Sequence, residues 1–171
     1  GSALAAGRRE PDVLNYAWRD YGNRVGAWRM LDLFESLELP VGLIVNSTIA
    51  DYCPELVAAY QERLDTELIA HGRTNSESQN AFDEPGEAAL IAESRDRLCE
   101  AFGEKPNGWL GPWIAQSEIT PDLLAEAGFG YHLDWCHDDQ PTWMATRDGG
   151  RILSVPYPQE VNDIPSIVAH H

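Results

Sequence analysis

The segment His71-Gly72-Arg73-Thr74-Asn75 sets an imidazole, a glycine and a carboxamide in one short stretch. An imidazole exchanges protons near neutral pH and is a good zinc ligand, so His71 can serve as acid, base or metal donor. Gly72 beside it lets a loop or a substrate approach closely. Asn75 supplies a further oxygen, although asparagine in a loop also simply closes turns. The structural alternative for His71 is a histidine that satisfies backbone groups at a strand end. Asp134 follows an apolar segment, so its carboxylate either bonds to loop amides or lies on a pocket floor. Asp138 and Asp139 beside His137, and Glu160 with Asn162 and Asp163, add acids and amides for polar recognition. Trp113 and Trp135 offer rings to stack on a substrate or exclude water, and either also suits a core. Asn46 completes the set.

These residues share a position relative to the elements that must hold them. Apolar residues at three- and four-residue steps over 24–38 predict a helix with one buried face, stopped by Pro40. Val41 to Val45 is a short apolar run that reads as a buried parallel strand, ending at Asn46. Pro54 opens a helix carrying Leu56, Tyr60 and Leu64, and a strand over 67–70 ends at His71. A stripe of Ala88, Ile91, Ala92, Arg95, Leu98, Cys99 and Phe102 predicts a helix stopped by Gly103. Thr120-Pro121-Asp122 reads as a hydroxyl cap, a first-turn proline and a first-turn acid, with Gly128 ending the helix. Residues 129–135 alternate as a strand, with Tyr131, Leu133 and Trp135 on one side and His132 and Asp134 on the other. A last strand spans 152–155, before Pro156. Stretches 72–84 and 138–142 read as loops. Helices and strands alternating in this way indicate α/β layering on parallel strands, and ligands gather beyond the C-terminal strand ends of such sheets.

Composition narrows the classes of partner. With 28 acidic residues against 12 Lys plus Arg, the 171-residue chain has a formal net charge of -16. That field repels nucleic acid and anionic membrane surfaces. Three cysteines form neither a disulfide framework nor a zinc quartet, so a reducing, cytoplasmic setting is expected. No apolar run approaches the roughly 20 residues a membrane helix needs. Gly108-Trp109-Leu110-Gly111-Pro112-Trp113 lacks the ending of a phosphate loop and reads as a pocket wall. There is no Gly-x-Ser-x-Gly elbow, no Cys-His signature and no His-Glu-x-x-His helix, so activated water is the natural nucleophile.

Taken in order, 21–26 (YGNRVG), 71–75 (HGRTN), 108–112 (GWLGP), 134–141 (DWCHDDQP), 153–157 (LSVPY) and 160–163 (EVND) resemble the polysaccharide deacetylase family, and within it the allantoinase-like branch. The resemblance implies an α/β fold of the NodB type, a distorted or incomplete (β/α) barrel over 11–168, with 1–10 a leader and 169–171 a tail. It implies hydrolysis of a carbon-nitrogen bond other than a peptide bond, in an amide, an N-acetylated sugar or a cyclic ureide. The family's two metal-binding histidines fall at His71 and Asn75, so the second is replaced. Its opening strand with paired aspartates does not precede Tyr21, which reads as truncation at the N-terminus or as a strand that this family member never had. Its orienting arginine falls near Leu110, which cannot play that part. Asp134 matches the acidic start of a later motif.

The expectation is therefore a catalytic set of His71, Asn75 and Asp134, with Trp113, Trp135, Asp138, Glu160 and Asn162 on the substrate. His71 and Asn75 would bind a divalent metal such as zinc weakly or not at all. The expected partners are a small-molecule substrate and further copies of the chain in a homo-oligomer. The rival expectation is a non-catalytic ligand-binding or structural module that keeps the barrel without a complete metal site.

Overall fold

A computed structural model of the chain describes residues 11–168. The leader 1–10 and tail 169–171 lie outside the described residues. Six strands form one sheet: β1 (Val41–Val45), β2 (Thr66–Ala70), β3 (Gly108–Trp109), β4 (Tyr131–His132), β5 (Thr142–Ala145) and β6 (Arg151–Ser154). Their order is β1-β2-β3-β4-β6-β5. All neighbours are parallel except β5 and β6. The sheet is thus mixed, where the sequence suggested parallel strands. Residues 146–150 join β5 to β6, fewer than the roughly dozen residues a parallel crossover takes. β1 and β5 each pair on one side, so this α/β sheet is consistent with a distorted barrel left open between them.

Helices fill the connections. A continuous helical segment over 13–36 consists of α1 (Val13–Tyr21), a π-helical turn (Gly22–Gly26) and α2 (Ala27–Ser36). It starts well before the helix expected over 24–38, with Asp12 accepting the Asn15 amide as its cap. The remaining helices are α3 (Ile49–Tyr52), α4 (Pro54–Arg63), α5 (Glu84–Phe102) and α6 (Thr120–Glu126). Gly103 ends α5 in the left-handed conformation, as its sequence position suggested. Thr120 departs from its expected cap role. Ile119 occupies the cap position, and the Thr120 hydroxyl instead donates to the Glu87 carboxylate.

Alternation along the strands divides the sheet into two faces. Val45, Leu68, Ala70, Trp109 and Ile152 pack against Ile91 and Leu98 of α5 and Leu123 and Leu124 of α6. Each buried leucine or isoleucine among them contributes roughly 1.5–3 kcal/mol. The opposite face carries Ile69, Leu110 and Leu133 with Ile44, Ile114, Tyr131, Val155 and Tyr157, a cluster drawn from strands, rim loops and the 3-10 turn Pro112–Ile114. Among the described residues, α-helices therefore pack on one face, and the cluster on the other face draws on none of them.

Three strands differ from expectation. β5 falls where the sequence suggested none. The segment expected to be a strand over 129–135 pairs as β4 only at Tyr131 and His132, because its neighbour β3 is itself two residues long. β3 had read as a pocket wall. It sits in the middle of the sheet, and its first residue is a glycine over which the Tyr131 ring lies, since a Cβ there would meet that ring at 2.2 Å.

Candidate active site

Parallel pairing brings Asn46, His71, Leu110, Leu133 and Val155, each the first residue beyond its strand, to one rim of the sheet. The loop after β1 grips the loop after β2. Ser47 N–H donates to Gly72 O at 2.9 Å, Thr48 Oγ1 to Arg73 O at 2.8 Å, and the Asn46 amide to His71 O. Asn46 thus shapes the backbone beneath His71.

The central contact is a single peptide group. His71 Nδ1 lies 2.5 Å from Leu110 O. A carbonyl only accepts, so Nδ1 carries the proton and Nε2 of the neutral ring keeps its lone pair. Burial holds the His71 pKa below the ordinary imidazole value, against the opposing pull of the Leu110 hydrogen bond. From the other side of the same peptide, Gly111 N–H donates to Asp134 Oδ1 at 2.6 Å. The C=O and N–H of a trans peptide point in opposite directions. His71 and Asp134 therefore flank one peptide group from opposite sides, joined through it and not in direct contact.

Asp134 is 3% exposed, and its Oδ2 is buried without a hydrogen-bond partner. Burial pushes its pKa up to about 7, the Gly111 N–H opposes the rise, and the nearby Glu87 charge adds to it. His132, two residues earlier, is fully buried with neither ring nitrogen partnered. Burial first, and then the charge of His137, push its pKa down to about 4, so it stays neutral.

The β2 and β3 loops also meet further out. Trp113 Nε1–H donates to Asn75 O at 2.9 Å, and the Trp113 ring is 41% exposed. Trp113 and Ile114 both have left-handed φ, 66° and 53°, a conformation costing roughly 1–2 kcal/mol per non-glycine residue. Asn75 Oδ1 is buried without a hydrogen-bond partner. His71 and Asp134 are thus joined through the Leu110–Gly111 peptide, and Trp113 is joined to the Asn75 carbonyl. Asp138 and Glu160, with Cys136, His137, Asp139 and Pro158, line an open hollow of about 460 Å³ whose lining includes none of those four. Asp138 also closes a turn by accepting the Gln140 amide at 3.1 Å. Asn162 donates to Tyr157 OH at 3.0 Å. Trp135 is half-buried, with its indole N–H unpartnered and its carbonyl taking Ser154 Oγ–H at 2.8 Å.

Catalytic zinc takes three protein ligands with water in the fourth position. Among the described residues, no three His, Cys, Asp or Glu are grouped to hold a metal ion. His71 Nε2 and the buried Asn75 Oδ1 are two donors, and that pair does not fit a tightly held zinc ion.

Behind the rim lies a polar network that sequence reasoning missed. Glu87, Gln79 and Thr120 are all fully buried. Glu87 accepts from Gln79 Nε2 at 2.7 Å, from Ser117 Oγ at 2.6 Å, and from Thr120 Oγ1. Gln79 Oε1 in turn accepts Trp109 Nε1–H at 3.2 Å. It also lies 2.7 Å from where a Cβ on Gly111 would stand, so a larger residue there would push the Gln79 side chain aside. The signal was present in α5. Its buried residues are Glu87, Leu90, Ile91, Ser94 and Leu98, which places an acid in phase with the apolar stripe.

No family model matches the chain. It is 26% identical over 147 residues to a peptidoglycan deacetylase of Helicobacter pylori, covering 84% of this chain and 48% of the relative. The solved structure of Puue allantoinase superposes with a TM-score of 0.77 at 30% identity, covering 85% of this chain and 47% of that one. A putative polysaccharide deacetylase from Mycobacterium smegmatis superposes with a TM-score of 0.79 at 27% identity, covering 89% and 55% respectively. The chain thus spans about half the length of these relatives. Together these distant likenesses link it to the NodB/polysaccharide-deacetylase superfamily and to an allantoinase-like fold, without singling out a branch.

Proposed function

We propose that the chain carries one wall of a hydrolase site for a carbon-nitrogen bond outside peptides, in an N-acetylated sugar or a cyclic ureide, with His71 as its acid-base group. The observation that carries this reading is the Nδ1–H···O=C bond to Leu110, which leaves Nε2 of a neutral imidazole as the basic atom at the sheet rim. Likeness in fold to a deacetylase and an allantoinase supports the bond type. In the proposed reaction, Nε2 takes a proton from water as the oxygen attacks the substrate carbonyl carbon. The same Nε2–H then protonates the departing nitrogen as the carbon-nitrogen bond breaks, which restores the neutral ring. Asn75 Oδ1 accepts an N–H of the substrate, Trp113 covers its ring, and Asp134 holds the Gly111 amide so that Leu110 O stays against His71. Trp135, Asp138, Glu160 and Asn162 would make outlying contacts to a larger substrate.

The test is release of acetate from N-acetylglucosamine oligomers, or ring opening of a cyclic ureide, by the chain and by His71→Ala. We expect loss of roughly 10²- to 10⁴-fold in the variant, the usual worth of a positioned acid-base group. Turnover that is unchanged in His71→Ala, or absent from the parent chain with both substrates, removes the proposal. A second reading, a ligand-binding module without turnover, is favoured by the shortage of metal donors among the described residues. Substrate that binds and is never converted would establish it.

A further inference from the structure

We infer that Glu87 is a positioning residue for His71, acting from the helix-covered face of the sheet through Gln79 and the β3 turn. The inference rests on His71 being the reactive imidazole of the site. A buried carboxylate is costly unless its oxygens are satisfied, and the three side chains that satisfy Glu87 are neutral. A methionine or leucine would fill the same volume on α5 without that cost. What the carboxylate supplies is orientation. By accepting Gln79 Nε2–H, it turns Gln79 Oε1 toward the Trp109 indole N–H and against Gly111. Those contacts hold both ends of the 109–111 turn from behind. The Leu110–Gly111 peptide is then set with its N–H on Asp134 and its C=O on His71 Nδ1. Thr120 and Ser117 bring the entry to α6 into the same grip, so two helices and three strand-end loops share the fixing of one peptide.

This arrangement has a spectroscopic signature independent of turnover. An imidazole in water favours the proton on Nε2, whereas His71 in this structure holds it on Nδ1. Nitrogen-15 chemical shifts of the imidazole therefore report whether the Leu110 carbonyl is in place. The variants are Gln79→Met, which cuts the link to the turn, and Glu87→Met, which removes the acceptor; both nearly conserve volume. Glu87→Gln retains one acceptor oxygen and serves as the conservative control. In the parent chain His71 is expected to be the Nδ1–H tautomer. In Gln79→Met and Glu87→Met the tautomer ratio shifts roughly fivefold toward Nε2–H, the factor an ordinary hydrogen bond is worth, and Glu87→Gln stays nearer the parent. Folded variants, judged by far-ultraviolet circular dichroism, in which His71 keeps the parent ratio overturn the inference. If either methionine variant fails to fold, the other decides. If the two methionine variants both fail, Glu87→Gln decides, because a ratio shifted beyond fivefold with its acceptor oxygen intact contradicts the proposed grip. A parent chain whose His71 already carries Nε2–H defeats the underlying site reading instead, so the two failures are distinguishable.

Discussion

Replacing Asp134 with asparagine removes a buried titration while leaving an oxygen to accept the Gly111 N–H. The carboxyl rises from the model-compound value of 3.8 in solvent to about 7 in the fold, mainly through burial. A group whose folded pKa is raised binds its proton more tightly when folded. Its stabilisation is therefore fully present below about pH 4 and is lost as pH rises to about 7. At 1.36 kcal/mol per pKa unit the whole shift corresponds to about 4 kcal/mol, arriving at up to about 1.4 kcal/mol per pH unit within that window. Asparagine does not titrate and is free of this loss. Urea unfolding of the parent chain and Asp134→Asn should be followed from pH 5 to 8, and the difference between them taken at each pH. Contributions of other acids cancel in that difference. The variant is expected to gain on the parent steadily with pH and to level off above about pH 7. A difference that stays flat across this range would refute the argument that burial dominates the carboxyl's surroundings.

Three other outcomes follow from the same geometry. Gly72 has φ of 62°, and a Cβ there would stand 2.9 Å from Pro112 Cγ; Gly72→Ala should lose at least about 1–2 kcal/mol in urea unfolding, and an unchanged midpoint would contradict it. Zinc added in equilibrium dialysis should be retained weakly and substoichiometrically; one tightly held ion per chain would contradict the two-donor count and would be expected to disappear in His71→Ala. α1 buries none of its residues and exposes Leu14, Tyr16, Trp18 and Tyr21, so a second copy is expected to cover it; sedimentation should give an oligomer that Leu14→Ser with Trp18→Ser weakens, and a parent chain that stays monomeric at high micromolar concentration would contradict this.

Elements with strong local signals were legible in the sequence. β1 and β2 announce themselves as apolar runs ending in polar residues, and Gly103 marks the end of α5 because only glycine takes its left-handed φ cheaply. β3 was illegible because two residues between Pro106 and Leu110 carry no periodicity, and its strand character comes entirely from β2 and β4 on either side. β5 was hidden by the polar turn before it, and its pairing with β6 is set by the short 146–150 connection. His71, Asn75, Trp113 and Asp134 could be nominated because each follows a strand. That His71 and Asp134 are linked through the Leu110–Gly111 peptide could not be read, since a backbone group has no letter in a sequence. Asp138 and Glu160 shared the same positional argument and line a hollow with Cys136, His137, Asp139 and Pro158.

The use of a peptide group as the joint has a consequence for how this site tolerates change. A side chain that hydrogen-bonds another side chain can be replaced together with its partner, whereas the C=O of Leu110 and the N–H of Gly111 persist through almost any substitution at those positions. What can be lost is their orientation. Orientation depends on residues with no chemistry of their own: glycine at 111, where a Cβ would meet Gln79 Oε1 at 2.7 Å, and glycine at 72, where it would meet Pro112. His71 therefore owes its proton placement to close packing of Gly72 on Pro112 and, from the helix-covered face, of Gln79 on Gly111. Asp134 and Glu87 owe their burial to the helix-covered face. A perturbation on either face should be felt on the other through rotation of a single peptide plane, with stability and the His71 tautomer changing together.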